Sequence, residues 1–344
     1  MGITHTTNKY LYPLKIYKKR GKKRNHFLLV SLFCFIAIFQ SGLRDINNLP
    51  DGNDTLSYRY SYEIVSKTSW SSLIRNFSLY TSEYKERDFG YPIFTKATQL
   101  IYDDFTFYMF LVAIIFLIPF SAFIYKYVKT YLGISLAFLI YFSIYTNIVN
   151  SFMRQAISLG LFLYGLKYII NPNWKKYYSL LTVAFFIHFS AIIAVPLYFI
   201  PKFIKSRSSL LIILVFTPFL MIYTPFLVRY LSEGTVYENY GMGVKLNPIN
   251  YILLLLFAGM LTLRYYKKIE KLPDASLLIA GIAGSTILIP IIWMGGTILR
   301  VSYYYSIFII PLFPVVFDNM NRGKHTRLMA YFVGISFFLY IILK

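Results

Sequence analysis

Long apolar runs recur along this chain, and the charges between them alternate in kind. Of the connecting segments taken in turn, one alternate set holds 23 of the 35 Lys and Arg residues and three acids. The other holds 12 basic residues and 11 of the 14 acids. Basic connections resist translocation, so this asymmetry belongs to a chain threaded repeatedly through a bilayer, with the basic set cytoplasmic. Runs such as Phe105–Tyr125, Leu132–Ile148, Tyr251–Leu263 and Leu277–Trp293 approach or reach the roughly 20 residues that a helix needs to cross about 30 Å of hydrocarbon. With 57% hydrophobic residues over 344 positions, the chain is too apolar for an ordinary soluble domain.

A net charge of +21 would suit a nucleic-acid partner, but the positive charge sits in short connections bordering apolar runs. Inner-face retention and anionic lipid account for it, and no nucleic acid is expected. The single cysteine, Cys34, lies inside the first apolar run, which excludes a disulfide framework and a cysteine metal site.

Residues 1–26 carry eight basic residues, and the apolar run His26–Ser41 follows without a small-x-small cleavage pattern. It reads as a retained first helix with its N-terminus cytoplasmic. Residues 44–105 hold nine acids and form an outer loop. Within that loop Tyr91–Tyr102 is apolar but too short to span, so a short interfacial or re-entrant helix is expected. Further helices are expected near 106–125, 132–149, 152–170, 208–227, 249–264, 275–293, 301–317 and 328–343.

The stretch 177–204 is the difficulty. As one crossing it would put Lys202, Lys205 and Arg207 outside, and the basic cluster Arg264–Lys271 after them. At about 28 residues it is too short for two full crossings. A broken, re-entrant hairpin bent near His188 satisfies both constraints. Non-helical backbone at membrane depth is tolerated only where protein or a water-filled cavity satisfies it, so the turn is a place to look for function. The expected fold is therefore all-α and polytopic, one membrane domain over residues 1–344. It has about ten transmembrane helices, the hairpin at 177–204 and a structured outer loop after the first helix.

The outer face holds the candidate chemistry. Arg44 follows the first helix and precedes Gly52-Asn53-Asp54-Thr55 and Tyr58; an interface anchor and a helix N-cap are the plainer readings of Arg44 and Asp54. Arg154-Gln155 lies on a very short outer connection, where a basic residue opposes the charge bias. His188 and Ser190 lie in the broken hairpin, although a lone histidine is commonly a satisfied core residue. Gly295-Gly296-Thr297 and Arg300 precede Tyr303-Tyr304-Tyr305. Arginines converging on one outer cavity could hold a pyrophosphate, because guanidinium presents paired donors that match phosphate oxygens. No phosphate-cradling loop, dinucleotide fingerprint or paired-histidine zinc helix is present, so neither cofactor nor metal is expected. Intramembrane acids are nearly absent, which argues against a proton-coupled transporter.

These residues resemble the EpsG-like branch of the Wzy-type polysaccharide polymerases. The likeness is carried by Arg44 with Gly52, Asp54, Thr55 and Tyr58 downstream, by Gly90-Tyr91, and by Arg154-Gln155-Ala156. It continues through Phe186-Ile187-His188-Phe189-Ser190-Ala191 to Arg300, Tyr303 and Tyr304. Phe89 stands where the family pattern has a glutamate, so no carboxylate role is expected immediately before Gly90. The resemblance implies a bacterial inner-membrane enzyme that extends glycan chains from undecaprenyl-pyrophosphate-linked repeat units. Its partners would be that lipid-linked glycan, membrane lipid, and a chain-length regulator and flippase.

On that reading His188 or Asp54 takes the proton of the acceptor hydroxyl, imidazole being the side-chain type whose charge changes near neutral pH. Arg154 and Arg300 stabilise the departing pyrophosphate. Arg44, Gln155, Tyr58, Tyr91 and Tyr303 bind substrate, and outer tyrosines such as Tyr237 and Tyr240 stack on sugars or anchor the interface. A lipid-linked oligosaccharide flippase, an O-antigen ligase or another polyprenyl-phosphate-dependent glycosyltransferase shares much of this physics. The flippase would carry cations deep within many helices, and the ligase a large outer loop late in the chain.

Overall fold

The computed structural model describes residues 20–47, 54–79, 88–232, 248–294, 299–320 and 323–343. Residues 1–19, Gly52, Asn53, Tyr237, Tyr240 and Gly295-Gly296-Thr297 lie outside them. Among the described residues every regular element is helical, and eight helices are long and apolar enough to cross a membrane. The first is α1 (Arg20–Gly42). Three short helices fill the acid-rich segment after it: α2 (Thr55–Lys67), α3 (Trp70–Leu79) and α4 (Gly90–Gln99). The helix expected within Tyr91–Tyr102 is α4.

The chain continues through α5 (Phe105–Tyr127) and α6 (Tyr131–Ile140), which a π-helical turn (Tyr141–Tyr145) joins to α7 (Asn147–Ser151). Next come α8 (Met153–Gly165), α9 (Lys167–Ile170) and α10 (Trp174–Ile187). A 3-10 segment (Phe189–Tyr198) and α11 (Ile200–Phe203) lead to α12 (Arg207–Ser232), α13 (Ile249–Ile269), α14 (Ala275–Ile287) and α15 (Ile289–Trp293). A 3-10 turn at Arg300–Ser302 precedes α16 (Tyr303–Ser306), α17 (Ile309–Asp318) and α18 (Lys324–Leu343).

Local sequence explains where these helices begin. Asp104 accepts from the Phe107 amide at 2.7 Å ahead of α5, Thr130 from Gly133 at 3.1 Å ahead of α6, and Asn173 from Lys176 at 3.1 Å ahead of α10. Each satisfies a donor that the first helical turn leaves without an intrahelical partner. The centre is built from α1, α5, α8 and α10 in succession, each packed on the next. The approach of α8 to α5 depends on Gly160, since a Cβ there would lie 2.3 Å from the Ile115 carbonyl oxygen. Any side chain at that position would force the two backbones apart.

The segment 174–203 folds back on itself. At 14 residues, α10 spans only about 21 Å, short of a bilayer's hydrocarbon thickness. His188 is extended (φ −154°, ψ 117°) and ends the helix. The returning strand of chain packs against α10: the Tyr177 hydroxyl donates to the Ala194 carbonyl at 2.8 Å and Tyr178 to Val195 at 3.2 Å. The rings of Tyr177 and Tyr198 lie 5.6 Å apart. These pairings centre the bend beside His188. The 3-10 limb is pinned a third time where the Tyr305 hydroxyl donates to Ile193 at 3.0 Å.

Candidate active site

One carboxylate organises the site, and it is Asp88. Its side chain is 4% exposed, and its Oδ2 lies 2.9 Å from His188 Nδ1 and 3.0 Å from Arg154 Nη1. Its Oδ1 accepts from the Phe189 amide at 2.7 Å. Three separate chain segments, around residues 88, 154 and 188, meet on these two oxygens. Asp88 adopts a left-handed backbone (φ 67°), a conformation that non-glycine residues hold only where the surroundings enforce it. Gly90 is part of that enforcement. A Cβ at Gly90 would lie 2.8 Å from the Phe186 carbonyl oxygen, so its bare backbone lets α4 rest against the last turn of α10.

Burial by itself would raise the Asp88 carboxyl. The bond to His188, the charges of His188 and Arg154 and the Phe189 amide outweigh it and hold the group below its usual value. Asp88 is therefore ionised at neutral pH, and an ionised carboxylate can only accept. Nδ1 of His188 must carry the proton, which leaves Nε2 of the neutral ring with its lone pair. The His188 side chain is 25% exposed. A fixed tautomer on a partly open ring is the arrangement that general-base chemistry needs.

Arg154 stands at the start of α8, directly after a one-residue break at Phe152. Its Nε donates to the Tyr58 hydroxyl at 3.4 Å, and the guanidinium lies over the rings of Tyr58 and Tyr91 at 5.6 and 5.9 Å. Those rings meet edge-on at 5.7 Å because α2 packs on α4. Thr55, Tyr58, Tyr62 and Val65 form the buried face of α2, at helical spacing. Gln99 and Lys96 of α4 donate to the α2 carbonyls of Tyr62 (2.9 Å) and Ser66 (2.7 Å).

A second ion pair joins the segment after α1 to the turn before α16. Arg300 Nη1 lies 3.1 Å from Asp54 Oδ2, and its guanidinium stacks 3.8 Å from the centre of the Phe152 ring. Asp54 occupies the N-cap position of α2 but makes no side-chain capping bond, so its carboxylate serves Arg300. Gln155 is buried and its Nε2 donates to the Arg300 carbonyl at 2.5 Å, which ties this pair to the residue after Arg154.

Arg44 is not a surface anchor. Nη1 donates to the Ser41 carbonyl, while Nε and Nη2 are buried with no hydrogen-bond partner among the described residues. Burial pulls the guanidinium down to about 10, partly offset by the Tyr141 hydroxyl, so it remains charged at neutral pH. Tyr141, Asn150 and Gln155 also bury an oxygen without a partner. Orphaned donors on a buried cation are costly in isolation, and an anion or ordered water would satisfy them. Among the described residues Arg154 and Arg300 each pair with a carboxylate, and Arg44 forms no ion pair.

Tyr303 is buried, its ring 5.5 Å from that of Tyr145, and it supports the core below Arg300. Its neighbour Tyr304 reaches the hairpin instead, with its hydroxyl 2.8 Å from Ser158 and 3.3 Å from Ser190. Asp88 is not among the site residues expected from the sequence, where the resemblance implies an acid at the position that Phe89 occupies. An acid two residues before Gly-Tyr was the available signal. Among the described residues, no three His, Cys, Asp or Glu side chains group closely enough to hold a metal ion.

The model of the EpsG family matches residues 27–344, nearly the whole chain. No curated protein and no solved structure matches it.

Proposed function

The chain belongs to the EpsG family and is a polysaccharide polymerase-like membrane protein; from that premise we propose that it is a glycosyltransferase that polymerises undecaprenyl-pyrophosphate-linked repeat units. The observation that carries the reading is the Asp88 carboxylate shared by His188 and Arg154, which puts a base of fixed tautomer beside a guanidinium. The acceptor sugar hydroxyl gives its proton to Nε2 of His188 as its oxygen bonds to the anomeric carbon of the growing chain. The bond from that carbon to the pyrophosphate oxygen breaks, and the pyrophosphate leaves with the electron pair. Negative charge then concentrates on the leaving group, where Arg154, Arg300 and the orphaned donors of Arg44 stabilise it. Tyr58 and Tyr91 hold Arg154 in place and border the sugar site.

Asp54 is the rival base, but it is paired with Arg300 and, among the described residues, no second side chain orients it. Membership of the family suggests a bacterial inner-membrane location, and the charge asymmetry supports a cytoplasmic N-terminus with this site on the outer face.

Purified protein reconstituted with lipid-linked repeat units should build a ladder of longer lipid-linked glycans. His188→Ala should abolish the ladder while lipid-linked substrate still binds, since the arginines remain. Loss of activity in Asp54→Asn with a merely slowed His188→Ala would transfer the base role to Asp54. Movement of intact units across a bilayer with no longer glycan would replace the polymerase reading by a flippase.

A further inference from the structure

Along one flank of the molecule runs an amphipathic cavity that the proposed reaction does not use, and its cationic mouth lies at the end away from this site. Helix α13 fixes the direction. Near its start the Tyr251 hydroxyl donates to Ser306 at 2.6 Å, close to Arg300, whereas Lys268 in its last turn donates to the Asn319 carbonyl just beyond α17. Between α13, α17 and α18 runs a groove of about 1510 Å³. Its walls include Leu253, Phe257, Phe313, Phe317, Val333 and Phe337. Leu253, Val333 and Phe337 are each more than half exposed. From Asn250 to Lys268 the groove follows α13 for about 27 Å, close to the full hydrocarbon depth.

At the Lys268 end the groove meets a separate polar cavity of about 470 Å³, lined by Lys268, Lys271, Asn319 and Arg327. Asp318 also lines it, but its carboxylate accepts from Thr130 at 3.0 Å and Tyr331 at 2.7 Å. Three cations against one engaged carboxylate leave the mouth with two positive charges. Arg264 and Lys267 add to the cationic rim of the groove itself.

We propose that this paired cavity is a binding site for an anionic phospholipid, with its phosphate among Lys268, Lys271 and Arg327 and its acyl chains along the groove. Charge complementarity selects the occupant. An apolar groove open to lipid is filled by any acyl chain, but a cationic cup at its head end favours a headgroup with net negative charge. A zwitterionic headgroup brings its own cation into that cup and gains nothing from the excess. The site is independent of which reaction the opposite end performs.

Delipidated protein exposed to equimolar phosphatidylglycerol and phosphatidylcholine with the same acyl chains tests this by native mass spectrometry. Wild type should retain phosphatidylglycerol with at least a tenfold preference, given about fivefold for each cation near a membrane surface. Lys271→Gln with Arg327→Gln should bring the preference close to parity; Lys268 is left in place because it also ties α13 to the end of α17. Val333→Trp, which narrows the groove without touching a charge, should lower retention of both lipids. Equal retention by wild type, or a preference that survives the double substitution, overturns the proposal. Retention of added undecaprenyl phosphate over phosphatidylglycerol also overturns it, in favour of a carrier-lipid site.

Discussion

Asp88→Asn separates charge from shape at the centre of the site. The amide is nearly isosteric and its oxygen can still accept from the Phe189 amide, which now lies 2.7 Å from Oδ1. Its other end becomes an NH2 group facing Nδ1 of His188, where Oδ2 now sits at 2.9 Å. A donor there requires Nδ1 to accept, so the ring proton moves to Nε2 and the lone pair needed for proton abstraction is lost. General-base catalysis contributes about 10²–10⁴-fold, so kcat should fall by about that factor, a barrier increase of roughly 3–5.5 kcal/mol. Stability should fall less. Arg154 loses its carboxylate at 3.0 Å but is itself 37% exposed, so water recovers much of the lost interaction and the cost is about 1–2 kcal/mol. The assay is glycan-ladder formation in proteoliposomes, with a thermal-shift measurement on the same preparation. A folded Asp88→Asn protein that extends chains at the wild-type rate would refute the assignment of His188 as a base held by Asp88.

Arg154→Lys keeps the charge but cannot reach Asp88 and Tyr58 together, and activity should fall at least about tenfold with normal membrane insertion; an equal rate would leave the residue a charge role only. Gly90→Ala drives a Cβ to 2.8 Å from the Phe186 carbonyl and should cost about 1–3 kcal/mol, read as a lower melting temperature together with lost activity. The held-down carboxyl of Asp88 contributes stability that is complete above the unfolded-state value near 4 and is lost as pH falls through its lower folded value. Thermal stability of wild type should therefore drop below about pH 4 by more than that of Asp88→Asn; parallel curves would deny the linkage. With Cys34 replaced, cysteines at positions 175 and 205 should both resist an impermeant thiol reagent applied outside, and labelling of 205 alone would mean a single crossing.

Much of the architecture is local and therefore written along the chain. Apolar run length sets which segments can cross hydrocarbon, and Asp104, Thr130 and Asn173 start helices through bonds to their own first turns. The bend at His188 was also legible, because the charge bias predicts one face for Lys202, Lys205, Arg207 and the cations after α13, and a stretch of fixed length can meet that expectation only by folding back. The candidate arginines and the histidine stood out as polar groups beside apolar runs. Their partners did not. Asp54 has the sequence of an N-cap and the geometry of an Arg300 partner; Arg44 has the sequence of an interface anchor and a buried guanidinium with orphaned donors. Asp88, in the longest polar segment, carried no local sign of burial. Which carboxylate meets which cation depends on how α2, α4, α8 and α10 pack, and on whether a backbone as bare as Gly90 lets them close. Hydropathy and capping act over a few residues, whereas an ion pair such as Asp88 with His188 joins positions 100 residues apart, and only the packed helices bring them within bonding distance.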